Sequence, residues 1–254
     1  MLLFFSVSRL IVCLQVITVR KNTRRSAARV FFAILTYMKH LTRAESGLTQ
    51  KEYKTLSLLT TPIKIQDFLD AIPFNFEKGG DTHMSPCRVL CERKSHCIEG
   101  ALLAAAALWI AGEPPLIMNV SARLGKGDVD HVVALYKRGG YWGATSKTNH
   151  STIRFRDPIY RTPRELALSY FHEWFMNETG EKTLECYSKP LDMRRFGTEW
   201  ITAEKDLWNI ADALSVLPHY QLVPKGNWRY VRKADAMELK AGKLLEWSES
   251  DSRT

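Results

Sequence analysis

One run constrains this chain more than any other: Ser95-His96-Cys97-Ile98-Glu99-Gly100-Ala101-Leu102-Leu103-Ala104-Ala105-Ala106-Ala107-Leu108-Trp109. Its Ala/Leu content makes it a strong helix former. Gly112-Glu113-Pro114-Pro115 follows as a stop, so a central helix is expected over residues 97–111. Cys97 falls at the start of that helix, where unpaired N–H groups and partial positive charge favour a thiolate. Glu99, in the first turn, reads as an acid that complements the helix dipole. His96 reads as lining a pocket at most.

The segments around this helix order themselves by hydrophobic period. Residues 49–59 and 63–72 read as two short helices broken at Thr61-Pro62, with Ile65, Phe68, Leu69 and Ile72 on one face. Residues 73–95 read as a loop, with Gly79-Gly80-Asp81 and Ser85-Pro86 as turn signals. Strands are expected at 116–124, 131–137 and 141–145, the last two joined by Arg138-Gly139-Gly140. The alternation in residues 152–156 suggests a fourth strand. Pro163 suits a first helical position, leading a helix over 164–176, and two more helices are expected near 204–217 and 234–247. Helices, an antiparallel sheet and further helices in that order make an α+β fold rather than a βαβ alternation. No Gly-rich phosphate loop supports nucleotide binding. The division expected is an arm at 1–44 and one α+β domain at 45–254, with its core at about 60–160 and a helical C-terminal extension at about 161–247.

A net charge of +9 suggests nucleic acid until it is mapped. Residues 1–44 hold Arg9, Arg20, Lys21, Arg24, Arg25, Arg29, Lys39 and Arg43 and no acid, so the remainder is close to neutral. No nucleic-acid partner is expected for the main domain. The arm itself is apolar over residues 1–19 but interrupted by Arg9 and Gln15, short of a clean membrane span and unlike a secretory signal. Three readings stand for it: a weak membrane anchor, a targeting segment, or an extension ahead of a start at Met38. Five cysteines, Cys13, Cys87, Cys91, Cys97 and Cys186, do not form a small disulfide framework. They point to free thiols in a reducing, cytoplasmic compartment, with membrane association through residues 1–37 as the alternative.

A cysteine at a helix start, a run to Gly-Glu-Pro-Pro, a strand, then Asp130-His131 opening a strand and a Gly139-Gly140-Tyr141-Trp142 hairpin together resemble the transglutaminase-like superfamily. The core of that superfamily is similar to those of papain-type cysteine peptidases and arylamine N-acetyltransferases. The resemblance covers roughly residues 60–160 and implies a central helix packed on an antiparallel sheet. It implies Cys97 as nucleophile and His131 as its base, later the acid for the leaving group. It also implies an oxyanion hole from backbone N–H groups near Cys97. The family's third member is an Asp or, in the papain branch, an Asn on the next strand. Here Trp142-Gly143-Ala144-Thr145-Ser146 puts Ser146 there, with Asn149 and then Asp157 as nearby substitutes. Acyl transfer or hydrolysis at an amide of a peptide or protein substrate follows from the resemblance, and that chemistry requires no cofactor.

Two other readings compete. The departure at Ser146 fits a catalytically degenerate interaction or scaffold domain of the same fold. His83, Cys87 and Cys91 have spacing that could hold zinc, but no second ligand pair closes such a site. Trp109, Trp142, Trp174 and Tyr170 read as core. Arg154, Arg156, Arg161, Arg194 and Arg195 read as solvated.

Overall fold

A computed structural model of the protein describes residues 40–248. The expectations for residues 1–37, including an anchor or a start at Met38, lie outside the described residues. Among the described residues no helix is long and apolar enough to cross a membrane.

The helical layer begins with α1 (Arg43–Ser46), α2 (Gln50–Leu58) and α3 (Pro62–Ala71), followed by α4 (Pro86–Glu92) and α5 (Cys97–Ile110). Reciprocal capping boxes start the first two, Thr42 with Glu45 and Thr49 with Glu52. In α3 and α4 a hydroxyl caps and a proline follows at the first helical position: Thr61-Pro62 and Ser85-Pro86. Ser85-Pro86 therefore starts a helix inside the stretch expected to be a loop. A Ser-Pro pair serves a turn and a helix N-terminus equally well, and beyond Pro86 itself only Val89 of α4 is buried.

Helix α5 is the centre of the molecule. Twelve of its fourteen residues are buried, which marks a helix apolar on every side and enclosed on every side. Its alanines let it lie close along the sheet. Gly112, at φ 87, ends it in the left-handed region that favours glycine.

The sheet comprises β1 (Leu116–Ala122), β2 (His131–Arg138), β3 (Tyr141–Thr145), β4 (Arg156–Tyr160), β5 (Leu184–Ser188), β6 (Leu191–Asp192) and β7 (His219–Gln221). Its order is β4-β3-β2-β1-β5-β7, with β6 also paired to β1, and every pairing is antiparallel. The fold is thus α+β. One core lies between the helical layer and the sheet, where Leu102, Leu108, Ile117, Val132 and Ala134 meet. A second lies on the sheet's other face, around Met118, Val133, Leu166, Tyr170 and Trp174. Burial of both faces explains why β1 is buried almost throughout, Asn119 and Ser121 included.

Three expectations are corrected. The fourth strand is Arg156–Tyr160, not 152–156. Ile153 sits at φ +61, which breaks any strand there, and Pro158 is tolerated because β4 lies at the sheet's edge. The helix after Pro163, α6 (Pro163–Ser169), stops early and gives way to a 3-10 turn at Phe171–Glu173. There Glu173 is drawn to Arg156 and to the Ile153 amide. Finally, the C-terminal third is not purely helical. Its helices α7 (Trp208–Ser215) and α8 (Ala236–Gly242) are short, and it contributes β5, β6 and β7 to the sheet. Strands of two to five residues carry too little alternation to be seen in sequence.

Candidate active site

Cys97 opens α5, where the His96 side chain makes no capping hydrogen bond and Glu99 reaches back to the His96 amide. As first-turn groups, the amides of Cys97 and Ile98 have no intrahelical acceptor. The thiol is partly exposed and lies in a cleft of about 370 Å³. Phe74, Ile98 and Val132 line this cleft, with Ala211 and Leu214 of α7 as a further wall.

His131, the first residue of β2, is buried. Its Nε2 lies 2.7 Å from Ser146 Oγ, immediately after β3. Ser146 Oγ also donates to the Ile153 carbonyl at 2.7 Å. A serine hydroxyl has one proton, and here the carbonyl takes it. What Ser146 offers His131 is a lone pair, so Nε2 carries the hydrogen and Nδ1 is the basic nitrogen of the neutral ring. Gln66 of α3 brackets Ser146, accepting from its amide at 2.9 Å and donating to its carbonyl at 2.8 Å. The acceptor residue is held in turn. The Ile153 amide donates to Glu173 at 3.0 Å, and Glu173 pairs with Arg156 at 2.5 Å. A β-branched residue at positive φ is strained, and these contacts hold it there. Arg156, expected to be solvated, is instead half-buried over the Tyr170 ring. The edge of the Trp174 ring packs against His131 at 6.2 Å between centroids, and Trp174 Nε1 donates to Asp128.

A second imidazole flanks the thiol. His96 places Nδ1 3.9 Å from Cys97 Sγ and Nε2 2.8 Å from the Thr82 carbonyl. Behind it stand Glu99 at 3.4 Å and Glu77 at 3.5 Å. Glu99 is fully buried, and it accepts from the amides of His96 and Met84, from Thr82 Oγ1 and from Asn75 Nδ2. Its bond to the His96 amide is a capping contact, as expected for a first-turn acid. Sequence reasoning missed that it also backs an imidazole. The His-x-x-Glu spacing at a helix start was the available signal.

Burial alone would raise the Cys97 thiol, but hydrogen bonding and charge from His131 and His96 outweigh it and lower the thiol to about 5. Burial likewise opposes charge on His96, yet its contacts with Cys97 and Glu99 raise it well above an ordinary histidine. Cys87 goes the other way. Burial, then its hydrogen bond to Glu52, pushes that thiol up to about 12. Of these two cysteines, Cys97 is poised as a thiolate and Cys87 is not.

His131 acts on the Cys97 thiol and is itself bound to Ser146, while Asn149 is engaged elsewhere. The Asn149 side chain accepts from the Trp247 amide at 2.8 Å and donates to the Trp247 carbonyl at 3.0 Å, which fastens the C-terminal segment. Asp157 is exposed on β4. His83 packs on Trp208 at 4.0 Å rather than joining Cys87, and Cys91 is exposed. Among the described residues no group of three His, Cys, Asp or Glu is arranged to hold a metal ion.

No protein-family model matches the chain, and no curated protein shows significant similarity to it.

Proposed function

We propose that this chain is a cysteine-nucleophile enzyme of the transglutaminase-like kind, acting by acyl transfer or hydrolysis at an amide of a peptide-like substrate. The observation that carries this reading is the position of Cys97 as the first residue of α5, with His96 Nδ1 3.9 Å from its sulfur and the thiol lowered to about 5 by His131 and His96. Cys97 gives its proton to His131 Nδ1, the nitrogen left free by the Ser146 contact. The thiolate attacks the carbonyl carbon, and the amides of Cys97 and Ile98 receive the developing oxyanion. The C–N bond breaks as His131 protonates the departing amine, leaving a thioester. Water or an amine, giving its proton to His131, then attacks the thioester and frees the thiolate.

Alkylation by iodoacetamide, followed at Cys97 by peptide mapping, tests the pair. The expected rate is half-maximal near pH 5, and His131→Ala moves it toward the ordinary thiol value of about 8.5. An ordinary profile in the wild type, unchanged by the substitution, sinks the reading.

A second reading, a catalytically degenerate interaction domain, draws on one contact. The partner of His131 is a neutral hydroxyl, which supplies no charge to stabilise an imidazolium. An activated thiol with no turnover of peptide amides, by water or by added amine, favours it.

A further inference from the structure

One residue that lines the cleft over Cys97 carries a polar atom that nothing in the protein satisfies. Asn119 lies on β1 opposite Val132, one residue before Val120, the partner of His131. The residue is only 6% exposed, yet it lines the cleft. Both N–H groups of its carboxamide are spent, at 2.8 Å on Ser121 Oγ and at 2.8 Å on Asp130 Oδ2. The other Asp130 oxygen accepts from the Ala122 amide at 3.0 Å, which holds the carboxylate in place. A flipped carboxamide would set its oxygen against that carboxylate, so the orientation is determined. Asn119 Oδ1 is left buried and without a hydrogen-bond partner. Folded proteins rarely leave such an acceptor unmet.

The rest of the cleft says what would meet it. Its walls are largely apolar, and the carboxylates on it belong to Glu77 and Asp130. An unmet acceptor in this lining suits a group that donates hydrogen.

We infer that Asn119 is a substrate-specificity residue whose Oδ1 accepts a hydrogen bond from an N–H of the amide bound over Cys97. The inference rests on the reading of Cys97 as nucleophile. It narrows the substrate class to primary and secondary carboxamides and disfavours tertiary amides and esters. A site built around a donor on its substrate rejects analogues that lack it.

Alkylating probes test this without knowledge of the natural substrate. Iodoacetamide and iodoacetyl-glycinamide carry N–H groups at two distances from the reacting carbon. Their fully N-methylated counterparts carry none. Rates at Cys97 are divided by the rates of the same reagents with glutathione, which removes intrinsic reactivity. In the wild type at least one N–H reagent is expected to be favoured by about tenfold, the size of one hydrogen bond to a buried group. Asn119→Leu is expected to abolish that preference. Equal normalised rates in the wild type for both pairs overturn the inference, and this arm stands whether or not the variant folds. The pH profile of wild-type iodoacetamide alkylation separates the two failures. An ordinary profile removes the nucleophile and this inference with it. A profile centred near pH 5 with no N–H preference removes Asn119 alone.

Discussion

Cys97 is surrounded by two imidazoles of unequal support. His131 leans on Ser146, a neutral acceptor whose proton is committed to Ile153. His96 leans on a backbone carbonyl and two carboxylates. The negative charge that the family resemblance places behind the first imidazole thus stands behind the second. Glu99→Gln tests its weight. The variant removes that charge and sets an amide N–H₂ among the donors that Glu99 now accepts. A loss of about 1–3 kcal/mol is expected from the mismatched buried donors. The folded carboxyl is held below its ordinary value of 4.5 by His96, against the opposing effect of burial. The stability it contributes is therefore complete above about pH 4.5 and lost as pH falls through the lowered value. Urea denaturation from pH 7 down to pH 3 should show the wild type's advantage over Glu99→Gln shrinking on acidification. The alkylation midpoint of Cys97 in the variant should also rise, because His96 is then less readily charged.

Helix α5 succeeds because small residues allow close packing on every side, and Gly100 shows how close. A Cβ added there would lie 2.5 Å from Lys147 Cβ. Lys147 has nowhere to go, since it is fully buried with Nζ 2.7 Å from the Leu69 carbonyl and 2.5 Å from that of Ile72. Propensity alone favours Gly100→Ala by about 1 kcal/mol. Overpacking costs about 1–3 kcal/mol, and with an anchored neighbour it wins. Chemical denaturation of Gly100→Ala is expected to show a net loss of up to about 2 kcal/mol. A gain would mean that the Lys147 segment yields. The start of α5 and the strands on either side of the hairpin were legible because their signals are local: helix formers, stops and a glycine turn. The strand expected at 152–156 failed because alternation says nothing about φ, and Ile153 is held at +61 by partners distant in sequence.

Across the whole molecule, the C-terminal third completes the fold rather than extending it. Strand β5 pairs with β1, and Leu184, Tyr187 and Leu222 help to close the core on the sheet's second face. Helix α7 walls the Cys97 cleft, while Gly242 of α8 lines a second depression of about 250 Å³ beside His131. A chain ending at residue 160 would expose one edge of β1 and one face of the sheet. It is expected to show no cooperative melt by circular dichroism. A sharp transition would establish residues 40–160 as an independent unit.

The sequence by itself determined the central helix, the α+β order and the candidates Cys97, His131 and Ser146. Each is announced by residue type and spacing within a short window. Only the tertiary structure decided that Asn149 serves the C-terminal segment and that Glu99 and Glu77 back His96. The same holds for the buried, unmet acceptor of Asn119. The partners involved are far apart in sequence, and several are backbone carbonyls or amides, which every residue carries and no sequence pattern can mark.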